Sequence, residues 1–246
     1  MIHALLHGQL SREQENMEDL LTSAVFGLLR YLPPSEGILP FLSCARALDG
    51  SQALPKMPHD TLVRTCFWPW VAESGCASCE PDIRVDIEPP EGNRTVIFVE
   101  AKYRSGKSSE ADDVPERPYD QLAREWDNLV HLAHPHTTPM LVYLTADVGM
   151  PREEMSASVA EYRGKRGGNA PTICWVSWRH LHDVLDANRG VIHKDLLDML
   201  ERLDLHFFRG VHVPAPMTAR QWTFGRYNWE KLKCETSWKF KGGCDE

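Results

Sequence analysis

PDIRVDIEPPEGNRTVIFVEAKY, residues 81–103, reads as two strands joined by a tight turn. Residues 82–87 alternate polar and apolar side chains, the period of a half-buried strand. Residues 94–103 form a β-branched and aromatic run. Pro89-Pro90-Glu91-Gly92-Asn93 between them has turn chemistry. Centring the turn on Glu91 pairs Ile83 with Val99, Val85 with Ile97 and Ile87 with Thr95. These are favourable cross-strand pairs, so the register has support of its own. The same register puts Asp82 opposite Glu100. Two carboxylates facing each other across neighbouring strands repel, and a divalent cation between them relieves the repulsion. Lys102 lies two residues beyond Glu100 and projects from the same face. Its ammonium would sit beside such an ion and could steady a phosphate or a water. A cation and an ammonium at one strand end suit phosphodiester hydrolysis.

Pro81-Asp82 followed by Glu100-Ala101-Lys102 resembles the signature of the PD-(D/E)XK nuclease superfamily. The resemblance implies an α/β fold: a restriction-endonuclease-like mixed β-sheet flanked by helices, with a C-terminal helical and irregular extension. It implies that Asp82 and Glu100 bind Mg²⁺ (or Mn²⁺), with the Ala101 carbonyl as a further ligand. Lys102 would act with the attacking water. Many members carry a glutamate on the first helix. Glu18 is the best match, with Glu15 as the alternative, and a solvated helix face accounts for either equally well. Gln121, in Tyr119-Asp120-Gln121-Leu122, resembles the glutamine of RecB-type nucleases and would assist catalysis. The expected activity is metal-dependent cleavage of nucleic acid, DNA first, in an enzyme of stand-alone prokaryotic type serving restriction or anti-phage defence. The alternative is a silent nuclease-fold subunit, or one activated by a protein partner in a larger DNA-processing complex.

Around the hairpin, residues 11–32 have the apolar spacing of an amphipathic helix, capped by Ser11 with Gln14 and stopped by Pro33-Pro34. Strands are expected at 62–71 (with a proline break), 140–145 and 171–178, and helices at 119–134, 179–188 and 192–203. The order α-β-β-β-α-β-β-α-α describes a mixed sheet with helices on it. Residues 1–188 would form the nuclease domain. Residues 189–246 would form an extension on the same core.

The 246 residues carry a net charge of -8, which argues against a protein coated in positive charge but leaves room for local basic grips. Arg104 and Lys107, just past Lys102, are placed to hold a nucleic-acid backbone. Arg163, Lys165 and Arg166 lie in what reads as a flexible basic loop, residues 163–168, suited to phosphates. Residues 219–244 hold six Lys/Arg and two Glu, interleaved with aromatics. Those aromatics suit either base stacking or, by preference, a small packed layer. The seven cysteines and the lack of a legible signal peptide favour a reducing cytoplasm. Cys76 and Cys79 form one C-x-x-C without a second pair, so inert thiols are expected rather than zinc. Near His131 and His134 no carboxylate partner is obvious. No run of apolar residues is long enough for a membrane span, and no phosphate-binding glycine loop appears.

Overall fold

The structure, a computed structural model, describes residues 18–103, 116–168 and 170–210. The chain divides into two compact units, Met1–Phe208 and Arg209–Glu246, and every element below belongs to the first. Helix α1 spans Glu18–Leu29 and the short α2 Ile38–Ser43. Strands β1 (Arg46–Ala47), β2 (Leu62–Phe67), β3 (Ile83–Glu88) and β4 (Arg94–Ala101) follow. Then come α3 (Gln121–Leu132), β5 (Thr137–Thr145), α4 (Arg152–Arg166), β6 (Ile173–Ser177), α5 (Trp178–Val184) and α6 (Val191–Arg202).

The strands form one mixed sheet in the order β1-β6-β5-β4-β3-β2. β4 runs parallel to β5, and β5 parallel to β6, and helices carry both crossovers. The other neighbours are antiparallel. The fold is therefore α/β, with helices covering both faces of a six-stranded mixed sheet. The β3–β4 register is Ile83↔Val99, Val85↔Ile97 and Ile87↔Thr95, as the sequence pattern requires. Gly92, at φ +96 in the connecting turn, supplies a left-handed conformation that most side chains resist.

Each strand's composition follows from its cover. β4 is buried on both faces except at Arg94, so its apolar run is nearly continuous. β3 buries only Ile83, Val85 and Ile87, and alternates. On one face these three join Ile97 and Val99 against Phe26 and Leu29 of α1, Phe41 of α2, Trp178 and Leu196. On the other, Phe98, Leu141 and Tyr143 pack with Leu122, Trp126 and Leu129 of α3 and with Met155 and Tyr162 of α4.

Several expectations change. The first helix is described only from Glu18, so the Ser11 cap and Glu15 lie outside the described residues. β2 spans Leu62–Phe67 and stops before Pro69, at the expected proline break, because proline has no N–H to continue a ladder. Residues 163–166 are not loop. They are the last turn of α4, which ends at Gly167 (φ +65). That helix was missed because it buries only Met155, Ser158 and Tyr162, too few apolar residues to show a period. The short α2 and two-residue β1 also went unread. α6 buries Leu196, Met199 and Leu200 in the first-face core, so the unit continues past residue 188. Among the described residues, no helix is long and apolar enough to cross a membrane.

Candidate metal centre

The ladder between β3 and β4 ends at Ile83↔Val99. Asp82 lies one step beyond, and its carboxylate Oδ2 accepts a 2.8 Å hydrogen bond from the Ala101 backbone N–H. Glu100, the second-last residue of β4, is 2 % exposed. Lys102 follows the end of that strand, and its backbone N–H donates to the Leu144 carbonyl at 2.7 Å. This bond anchors the segment to β5. Glu18, the first residue of α1, reaches in from a distant part of the chain. Its Oε1 accepts from Lys102 Nζ at 3.1 Å and its Oε2 from the Tyr103 N–H at 2.8 Å. Oxygens of Glu18, Asp82 and Glu100 lie within 4.8 Å of one another. Three hard oxygen donors in that space match the ligand chemistry of Mg²⁺ or Mn²⁺.

Gln121, the first residue of α3, is buried and donates its amide to Glu100 Oε1 at 2.5 Å. Local structure fixes it there. Asp120 caps the helix by accepting from the Ala123 N–H, and Glu161 of α4 accepts from the N–H groups of Tyr119 and Asp120. One helical turn on, Glu125 lies within hydrogen-bonding reach of Glu100 and is 1 % exposed. Sequence reasoning missed Glu125 and Glu161. The only hint of Glu125 was its place four residues after Gln121, on the same helix face.

The electrostatics follow from burying three carboxyl groups, with the half-buried Glu18 beside them, around one ammonium. Burial, then the charge of Glu100, pushes Asp82 up to about 7. Burial also raises Glu100. Burial and the neighbouring Glu100 hold Glu125 well above the carboxylate range. Burial alone would lower Lys102, but Glu100 and Glu18 outweigh it and raise the amine. The Lys102 ammonium lies 2.5 Å from Glu100 Oε1.

The chain matches no known family model, no curated protein and no solved structure.

The remaining expected contacts divide. Arg104 and Lys107 lie outside the described residues, as does the basic aromatic tail. Arg163 is exposed on α4. Lys165 sits over the Tyr119 ring, 4.4 Å from its centroid. Arg166 is engaged elsewhere. It donates through Nε to Asp127 Oδ1 at 3.0 Å, through Nη2 to Asp127 Oδ2 at 2.5 Å, and to the Gly75 carbonyl at 2.7 Å. Asp127 is 1 % exposed, so this pair ties α4 to α3 and to the loop before Asp82. Arg166→Ala leaves that carboxylate without its cation. We expect about 2–3 kcal/mol of destabilisation in urea unfolding, below the full cost of a buried pair because Arg166 reaches solvent. Oligonucleotide affinity should stay unchanged.

A second group, Cys76, Asp127 and His131, also brings ligand atoms within 4.8 Å of one another. His131 thus has the carboxylate neighbour that the sequence did not reveal. Its ligands are already committed, however. Asp127 is clamped by Arg166, and His131 Nδ1 lies 2.7 Å from the Asp127 carbonyl. Burial, then the charge of Asp127, pushes the Cys76 thiol up to about 12.

Proposed function

We propose that this protein is a divalent-metal-dependent nuclease of PD-(D/E)XK type that hydrolyses phosphodiester bonds, with DNA as its substrate. The convergence of Glu18, Asp82, Glu100, Lys102 and Gln121 at one end of β4 supports this most. They come from α1, the β3–β4 hairpin and α3, and none of them is needed to build a core. The order of first helix, three antiparallel strands, helix and parallel strand supports a restriction-endonuclease-like reading of the sheet.

In this reading Asp82 and Glu100 hold Mg²⁺ or Mn²⁺, with Glu18 and the Ala101 carbonyl completing the protein's share. Bound there, the cation supplies Lewis acidity and lowers the pKa of water. Lys102 donates hydrogen bonds from its ammonium, orienting the water and offsetting charge that grows on the phosphoryl oxygens. Gln121 fixes the Glu100 carboxylate. Glu125 holds Glu100 from behind.

Mg²⁺ and Mn²⁺ cleavage assays on circular, linear and single-stranded DNA, and on RNA, test the activity. Calorimetry with Mg²⁺ tests the site separately. We expect saturable binding that Asp82→Asn and Glu100→Gln each abolish. No Mg²⁺ binding by the wild type would favour a silent subunit on the same fold. Cleavage that appears only on adding a second protein would identify a partner-activated subunit.

A further inference from the structure

Register carries the sheet beyond its last recorded pairs. β2 pairs with β3 as Cys66↔Arg84 and Phe67↔Ile83, and the next step is Trp68 beside Asp82. The Trp68 backbone N–H donates to the Asp82 carbonyl at 2.9 Å. Trp68 is thus one strand spacing, about 5 Å, from Asp82, the residue whose carboxylate belongs to the candidate metal centre. Trp68 adopts φ +45, a left-handed conformation that a bulky side chain rarely takes. Its ring lies 5.5 Å from that of Phe67, which packs on the first-face core and braces it. The chain then leaves the sheet edge, and Trp70 follows at 69 % exposure, with Trp68 at 38 %. Large apolar side chains gain by burial, and strained backbone persists where the surroundings or a task demand it. Neither ring is used to build the core.

From this placement we infer that Trp68 and Trp70 form a stacking platform for unpaired nucleobases, so that the substrate is presented as a single strand or a frayed end. The inference rests on the nuclease reading and names the form of its substrate. Aromatic faces stack on any base without regard to sequence. The rings of a paired duplex are already stacked on each other and present no face to an indole. A platform one strand from Asp82 would hold the bases flanking the phosphate at the metal centre.

The test uses the full chain in Ca²⁺ and measures binding of labelled oligo-dT, oligo-rU and a blunt DNA duplex of equal length. Wild type should prefer a single strand to the duplex. Trp70→Ala and Trp68→Gly should each weaken that binding by roughly 5- to 150-fold, leaving duplex binding unchanged. Trp70→Phe should restore most of the loss. Trp68→Gly also separates stacking from structure. Glycine accepts φ +45 without strain, which offsets part of the packing lost with the indole, so the variant should stay folded while losing affinity. The dT and rU arms show which sugar accompanies the bases. Wild-type single-strand affinity in both variants, or a preference for duplex, overturns the inference and leaves the pair as a protein-contact surface. Because the readout is binding in Ca²⁺, it stands apart from the cleavage assay. Cleavage insensitive to Lys102 would sink the nuclease reading without touching this result.

Discussion

Lys102→Ala is expected to lower divalent-dependent cleavage by about 10²–10³-fold, the usual cost of removing one charge-stabilising donor from such a site. Geometry gives the reason. The ammonium lies 2.5 Å from Glu100 and 3.1 Å from Glu18, where a phosphoryl oxygen or a water beside the cation would meet it. Metal binding should move the other way. Without the ammonium, the carboxylates lose their internal countercharge and should take Mg²⁺ at least as tightly as before. Circular dichroism would confirm folding, calorimetry the retained Mg²⁺ affinity, and a supercoiled-plasmid assay the lost cleavage. A folded Lys102→Ala variant that cuts at the wild-type rate would falsify the mechanism.

The second large effect is a linkage between pH, Mg²⁺ and stability. Asp82 is raised from an ordinary 3.8 to about 7, first by burial and then by Glu100. Between those values the folded protein holds a proton that the unfolded chain has released. Stability from this group is therefore fully present below about pH 4 and lost as pH rises through about 7. At 1.36 kcal/mol per unit the loss amounts to about 4 kcal/mol. Glu100 and Glu125, also raised, act in the same direction. His180 is lowered by burial and opposes them. Bound Mg²⁺ favours the ionised carboxylates, so its stabilising increment should be larger near pH 8 than near pH 5. Thermal unfolding in EDTA and in Mg²⁺, at about those two pH values, measures both effects. Comparison with Asp82→Asn isolates the one carboxyl group. Equal pH dependence in wild type and Asp82→Asn would show that the group does not titrate as described.

The reading of the hairpin and of what lies beyond it differ for a physical reason. A strand repeats every two residues, so the alternation in 82–87 and the apolar run of 96–99 fixed both faces and the register from local pattern alone. Asp82, Glu100 and Lys102 were legible for the same reason. They occupy one strand pair, and their adjacency follows from the register. Glu18 and Gln121 were only matched by likeness, since nothing local says where a helix terminus lands. Tertiary packing brings Glu18 across from α1 to Lys102, and the Asp120 cap with Glu161 of α4 aims Gln121 at Glu100.

Arg166 marks the limit most plainly. In sequence, Arg163-Gly164-Lys165-Arg166-Gly167-Gly168 has the composition of a basic loop. In the fold, the Arg166 guanidinium is bound to a carboxylate thirty-nine positions earlier. Glu125 looks like a helix-surface acid until α3 turns it under Glu100, and Trp68 looks like one more strand aromatic until its backbone φ is known. By itself the sequence determined the sheet's central hairpin and three of the site's charged groups, because those depend on short-range periodicity. Only the tertiary structure decided which distant carboxylates share the site, which basic residue is bound in an internal pair and that Trp68 and Trp70 stay exposed. Those outcomes depend on how whole helices dock, and docking is set by the summed burial of many side chains rather than by any one stretch of chain.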